Sequence, residues 1–318
     1  MSTTHAPAAA GPTRARPATP PPPRRRGLEK RWLAWVYVAP AALVLIGLFL
    51  VPLGLAVWMS FTDWPLLGGG AHTPNFPDNY VRITQDGAFL EAVGFTLRYT
   101  AIITVVLLTL SLGLALLVQE AKGRSTGVLR TAFFLPVVTG LTTAALLFLG
   151  LYSPSIGGIN LLFRAVGVDV DWLGTPGTAL LSTVLMMTWR FAGFYMVIML
   201  AGLQAIPREL YEAASIDGAG RWRTFVSVTL PLMRSNLALC MLLIVTGGLT
   251  AFEQFYVLTG GGPDGSTITV VMRVFSEAFG QFNLGYAAAL AVAILLGLVI
   301  LNVIQLRVVR SSPEGEAR

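Results

Sequence analysis

Six stretches of this chain are long and apolar enough to cross a lipid bilayer, and they leave little freedom about what it can fold into. They lie near residues 33–59, 95–118, 130–152, 178–203, 236–257 and 284–306. A membrane-crossing helix needs about 20 largely apolar residues, and each stretch supplies them. In lipid every backbone polar group must find its partner within the protein, which makes such stretches helical. Only 12% of the 318 residues are charged and 54% are hydrophobic, whereas soluble domains carry about a quarter charged residues. The expected fold class is all-α, a polytopic membrane protein with six transmembrane helices over residues 28–310.

Lysine and arginine set the expected orientation, because loops on the cytoplasmic side carry an excess of both. Seventeen of the 22 fall on one side, in the N-terminal flank, the loop holding Lys122, Arg124 and Arg130, the loop 204–236, and the C-terminus. Three, Arg82, Arg164 and Arg273, fall on the other, while Arg98 and Arg190 lie inside spans. Both termini and the loop 204–236 are expected in the cytoplasm, and the protein in the cell (inner) membrane as a multi-pass chain. The net charge of +6 is thereby an orientation signal, and no nucleic-acid partner is expected.

Residues 1–27, rich in Ala, Pro, Thr and Arg and including Pro20–Pro23, cannot bury apolar surface. They read as a disordered cytoplasmic tail with local polyproline II character, and residues 311–318 as a short second tail. A recognition role for the proline run is the alternative to a solvated tail. No cleavable signal peptide is expected, since the first apolar segment is long and lacks a small-residue cleavage site.

Catalytic chemistry is sparse. The single cysteine, Cys240, lies in an apolar span and suits a small hydrophobe. The two histidines, His5 and His72, lie outside the spans, and no zinc-protease or nucleophile-elbow motif occurs. Gly260, Gly265, Ser266 and Thr267 imitate the spacing of a phosphate-binding loop. The lysine that should precede the final hydroxyl residue is missing, as is a preceding strand, so a flexible glycine turn is expected there. The chain is expected to be no enzyme, to bind no metal and to hold no cofactor of its own.

The loop 204–236 reads as helix, glycine turn, helix. Pro207 suits a first helical position, and Glu209 the positive first turn. Leu210, Ala213 and Ala214 share one face, and the alanines let another surface come close. Asp217-Gly218-Ala219-Gly220 breaks the helix with residues suited to a turn and to positive φ. An ordinary amphipathic surface helix is the simpler alternative. The string Glu212-Ala213-Ala214, then Asp217-Gly218-Ala219, then Leu230-Pro231 resembles the EAA loop of the permeases of ATP-binding cassette (ABC) importers. The resemblance is densest from Ala201 to Gly262 and extends over most of the chain, toward the maltose- and glycerol-phosphate-type carbohydrate permeases. It implies the type I importer architecture, with Glu209, Leu210, Glu212, Ala213, Ala214, Asp217, Gly218 and Ala219 forming a coupling helix and its turn that dock on an ATPase.

Further outward-facing segments resemble the same family: Phe61-Thr62-Asp63-Trp64 with Asp78 to Arg82, and Gly157 to Leu162 with Asp171-Trp172-Leu173. Phe95 stands where the family commonly has Asn, and a tryptophan frequent around the third span is missing near Leu147 and Phe148. The resemblance implies two partner ATPase subunits that bind ATP and Mg, a second permease subunit, an extracytoplasmic solute-binding protein, and import by alternating access.

Polar and aromatic residues at membrane depth are the candidate solute pathway. They are Trp189, Arg190, Phe194 and Tyr195 in the fourth span and Thr246, Thr250, Glu253, Gln254 and Tyr256 in the fifth, with Phe252, Tyr99 and Thr100 nearby. Aromatic faces beside hydroxyl and amide groups suit a sugar; helix packing and interfacial anchoring are the alternative for each. Glu253 is the candidate partner for Arg190. Beyond the fifth span, Val270 to Phe282 repeats at helical spacing with an Arg273–Glu277 i,i+4 pair. That helix is expected on the outer membrane surface, against the bundle, or against the binding protein. The competing function is a secondary carrier driven by an ion gradient, a class marked by internal repeats and midplane ionisable groups. No persuasive repeat is present, and Glu253 is the single acid in the six spans.

Overall fold

A computed structural model describes residues 31–67, 73–121 and 123–310. The two tails, Lys122 and His72 lie outside the described residues. The chain divides into two compact units, residues 1–52 and 53–318.

The first unit is helical throughout its described part. α1 (Arg31–Leu45) passes through a π-helical turn, Ile46–Leu50, into the start of α2 (Val51–Ser60), whose residues from Leu53 on belong to the second unit; by length and apolarity Val36–Ser60 is a candidate span.

In the second unit, Thr62–Asp63 (β1) and Thr73–Pro74 (β2) pair antiparallel, a small exception to the all-α expectation. α3 (Asp78–Gln85) leads to Asp86, whose carboxylate accepts the Phe89 N–H and caps α4 (Gly87–Glu120). At 34 residues, α4 is about 50 Å long, so it starts well before the expected span 95–118 and projects from the membrane. The eight preceding residues, 87–94, include Glu91 and two glycines, which is why hydropathy alone placed the start late.

The third span corrects the sequence reading. α5 (Arg124–Phe134) tightens into a 3-10 turn at Leu135–Val138, and α6 (Leu141–Leu151) departs at 96° to the first half. Pro136 lacks an N–H to continue the helix, and extended backbone at Thr139 and Gly140 completes the break. α7 (Gly158–Ala165) is a short helix before α8 (Pro176–Gln204), which starts with Pro176 at its first position and a Thr175–Thr178 capping box.

The loop residues form α9 (Arg208–Ile216) and α10 (Arg221–Thr224); a π-helical turn at Phe225–Thr229 and α11 (Leu230–Leu232) then lead into α12 (Arg234–Leu249), bent by 67° from the preceding helix. The fifth span ends at Leu249 rather than near 257. Thr250 and Ala251 leave the helix, and α13 (Glu253–Leu258) begins separately. α14 (Val270–Phe275) continues through a π-helical turn at Ser276–Gly280, and α15 (Leu284–Arg310) is the last span.

The core of this unit is the packing of α4 against α8 and α12. Tyr99, Ile103, Leu107 and Val118 of α4 are buried with Met186, Met196, Met199 and Leu200 of α8. Small residues let backbones approach, the usual device where lipid supplies no hydrophobic contrast. A Cβ on Gly248 of α12 would come within 2.8 Å of the Thr100 hydroxyl, and one on Gly193 of α8 within 1.8 Å of the Phe133 carbonyl oxygen. Thr96, Thr100 and Thr104 form a buried stripe on α4, each donating its hydroxyl to the carbonyl four residues earlier.

Candidate functional site

Three constellations stand out. The first is a cavity of about 370 Å³ walled by α4, α8, the start of α6 and the end of α12, a size within the usual range of about 300–1,000 Å³ for ligand pockets. Helical periodicity builds two of its walls: Tyr99, Ile103 and Leu107 from α4, and Met187, Phe191 and Tyr195 from α8, each set at i, i+4, i+8. The Thr250–Ala251 break turns the chain across the cavity, so Thr250, Phe252, Glu253 and Gln254 all line it. Gln254 donates to the buried Tyr99 hydroxyl at 3.4 Å. Two aromatic faces, two phenols, an amide, a hydroxyl and one carboxylate therefore share one cavity. This set can stack on an apolar ring face while pairing with hydroxyls.

Of the residues expected along the pathway, Tyr99, Tyr195, Thr250, Phe252, Glu253 and Gln254 line this cavity. The others lie elsewhere. Trp189 packs on Phe148 with ring centroids 5.2 Å apart, Phe194 lies edge-on to Tyr195, and Thr246 donates to Asn302 of α15. Tyr256 stacks on Phe252 at 5.1 Å and faces a separate groove of about 480 Å³ with Phe275 and Phe279. Met187 and Phe191 were not singled out in the sequence, although their spacing to Tyr195 carried the signal.

Arg190 and Glu253 make no direct ion pair, although the Glu253 charge acts on the Arg190 guanidinium through space. The Arg190 guanidinium donates twice to the Thr139 carbonyl, at 3.0 and 2.7 Å, and lies 4.5 Å from the centre of the Phe191 ring. Glu253 accepts the Thr142 hydroxyl. The two charges thus take opposite sides of the break in the third span, and each is satisfied by a neutral group.

The second constellation is the segment 204–236. Pro207 is the N-cap of α9 rather than its first residue, a one-position shift, and Glu209 sits in the first turn. The helix closes with a Schellman motif: the Ala219 N–H reaches the Ala214 carbonyl at 2.9 Å and the Gly218 N–H the Ser215 carbonyl at 3.1 Å. Gly218 has φ +74°, the left-handed conformation expected of it. The Tyr211 hydroxyl lies 3.3 Å from that of Thr229 and ties α9 to the π-helical turn. No residue of α9 is buried; Leu210 and Ala213 are exposed, Ile216 is 86% exposed and Trp222 of α10 76%. Behind the two helices lies an open cavity of about 1,150 Å³, reached by Glu120 at the end of α4.

The third constellation joins four elements at the opposite end of α4. Arg273 of α14 pairs with Asp86 at 3.3 Å and with Glu277 at 2.8 Å, the expected i,i+4 pair. Arg82 of α3 approaches Glu277 at 3.7 Å and lies over the Tyr286 ring at 3.8 Å, while the Tyr286 hydroxyl donates to Asp86 at 2.8 Å. Burial alone would raise the Asp86 pKa. The Tyr286 hydroxyl, the Phe89 N–H and the Arg273 guanidinium outweigh it and hold that carboxyl below its ordinary value. Nearby, the glycine turn is closed by its own hydrogen bonds, where flexibility was expected: the Thr259 and Thr267 hydroxyls meet at 2.8 Å, and Thr267 donates to the Gly262 carbonyl at 2.7 Å.

Comparison with known proteins adds to this geometry. Residues 121–312 match the family model described as a binding-protein-dependent transport system inner membrane component. The chain is 33% identical over 289 residues to the diacetylchitobiose uptake system permease protein NgcF of Streptomyces coelicolor, covering 86% of this chain and 81% of that one. It is 31% identical to the multiple sugar-binding transport system permease protein MsmF of Streptococcus mutans, covering 89% and 97%. To the sn-glycerol-3-phosphate transport system permease protein UgpA of Escherichia coli it is also 31% identical, covering 89% and 96%. Among solved structures, a chain of a bacterial ABC transporter that imports the acidic polysaccharide alginate superposes with a TM-score of 0.78 at 22% identity, covering 90% and 98%. That likeness concerns the fold.

Proposed function

The chain belongs to the binding-protein-dependent inner membrane components, the permeases of ABC importers, and from that premise we propose that it carries a neutral or polar carbohydrate through the cavity walled by α4, α8 and α12. Tyr99 and Tyr195, with Thr250, Glu253 and Gln254, pair with the hydroxyls of the solute, and the Phe191 and Phe252 rings take its C–H face. The observation that carries this reading is the convergence of those groups on one pocket of about 370 Å³. The named relatives that take diacetylchitobiose or multiple sugars support the solute class.

The assembly follows from the same family. Two ATPase subunits bind ATP and Mg, a second permease subunit completes the pathway, and a solute-binding protein delivers the cargo. A solved structure of the alginate transporter includes such a periplasmic protein with its pentasaccharide. Both termini and the segment 204–236 face the cytoplasm, and α9 is the coupling helix. Its exposed face, Leu210 and Ala213 with Glu209 and Glu212 alongside, docks on the ATPase, while Ala214 packs inward and Asp217, Gly218 and Ala219 close the helix that presents that face.

The test is a single cysteine at position 213 (Ala213→Cys in a Cys240→Ser background), cross-linked in membranes against the partner ATPase subunits. A cross-link whose yield changes with ATP is the expected result. No cross-link, with uptake that follows an ion gradient and ignores ATP, would overturn it.

A further inference from the structure

The break in the third span poses a problem that lipid makes acute. A helix interrupted at membrane depth frees carbonyls on one side and amides on the other, and hydrocarbon offers neither a partner. Gly140, the N-cap of α6, makes no side-chain cap, and at Thr139 the N–H and hydroxyl both turn back to the Pro136 carbonyl, leaving the Thr139 carbonyl between the two halves. The charges nearest to this gap are placed according to sign. Arg190 holds the Thr139 carbonyl, at the negative end of the first half-helix. Glu253 takes the hydroxyl of Thr142 in the first turn of α6, at the positive end of the second. This is the arrangement favoured by helix dipoles. A third contact lies on the same half-helix, where Gly193 lets α8 pass directly against the Phe133 backbone.

We infer that Arg190 and Glu253 are positioning residues that hold the 96° bend, the first through the Thr139 carbonyl and the second through the Thr142 hydroxyl. The bend in turn fixes Leu141, the first residue of α6, in the cavity wall, so the two charges set the width of the solute pocket, Arg190 from behind it and Glu253 from its own wall. Glu253 can use its second carboxylate oxygen toward the cavity without leaving this post. The inference goes beyond the proposed function and stands whatever solute is carried.

The test measures the bend itself. Spin labels at positions 128 and 147, exposed residues on the two halves, are introduced into the full-length Cys240→Ser chain in lipid nanodiscs, and their separation is read by pulsed electron resonance. One narrow distance is expected for the otherwise unchanged chain. Arg190→Ala and Thr142→Val should each lose it to a broad or double distribution, and Arg190→Lys, which can still donate to a carbonyl, should restore it. Thr142→Val preserves shape and removes only the hydroxyl that Glu253 accepts, which separates loss of the hold from loss of folding. A narrow distance retained in both Arg190→Ala and Thr142→Val would overturn the inference. That outcome would leave the proposed function untouched, because no transport enters the measurement.

Discussion

The segment 204–236 and the segment 270–282, whose Arg273 and Glu277 join the Asp86 cluster, look alike in sequence, since each holds a short amphipathic helix with acids and arginines on its polar face. The structure treats them in opposite ways. In the cluster, charges from α3, α14 and the start of α4 pair with one another and Glu277 is buried, although the Arg273 Nε and one Glu277 carboxylate oxygen find no hydrogen-bond partner. In α9, neither Glu209 nor Glu212 makes an ion pair among the described residues, and no residue is buried. One end of the unit pairs its charges within the chain. The other leaves them exposed along a regular helix, as the docking proposed for α9 requires.

The comparison can be broken most sharply at Gly218. Aspartate there would have to adopt φ +74°, which non-glycine residues reach at a cost of about 1–2 kcal/mol. It would also add negative charge at the carbonyl end of α9. The expected outcome is near-complete loss of ATP-driven uptake with a normal amount of protein in the membrane, measured by transport and immunoblot together. Normal uptake would mean that the shape of this turn does not matter.

A smaller effect should appear at the cluster, and on stability instead. Arg273→Ala leaves Asp86 and the buried Glu277 without their main partner and should cost about 2 kcal/mol, the scale of hydrogen bonds to charged groups. Glu212→Ala on α9 should stay within about 0.5 kcal/mol, as for most surface changes. Unfolding of both variants in detergent checks this, and equal losses would erase the distinction between the two ends.

The smallest expected effect depends on pH. Because the folded state holds the Asp86 pKa below its ordinary value, Asp86 contributes stability that is present above that value. The contribution fades as pH falls through the lowered one. The difference in thermal stability between the parent and Asp86→Asn should therefore be full at neutral pH and shrink on acidification below about pH 4. A difference that grew in acid would contradict the assigned hydrogen bonds.

Much of this was legible in the sequence, and the misses have physical causes. Hydropathy located six spans because lipid imposes length and apolarity on each. It does not register direction, so the bend at Thr139 and Gly140 went unread although Pro136 and Gly140 both signalled it. The fifth span was drawn seven or eight residues too long for the same reason, since Phe252, Phe255 and Tyr256 are apolar enough to extend a window past the break at Thr250. At the cavity, polarity drew attention to Tyr195, Thr250, Glu253 and Gln254. Met187 and Phe191 carried no polar mark, and only their spacing on one face of α8 could have found them. Arg190 and Glu253 act on each other through space rather than in direct contact, because the half-helix ends offer each charge a nearer partner.

The threonine stripe on α4 carries a mechanical consequence. Thr96, Thr100 and Thr104 each direct the hydroxyl to their own helix, so none of those three protons crosses to α12, which meets the stripe through the bare backbone of Gly248. A shift of α12 along this line would break no hydrogen bond that the stripe makes, but it would bring a residue with a side chain against Thr100, where only a glycine fits. The two helices meet as a key meets its slot, registered by shape.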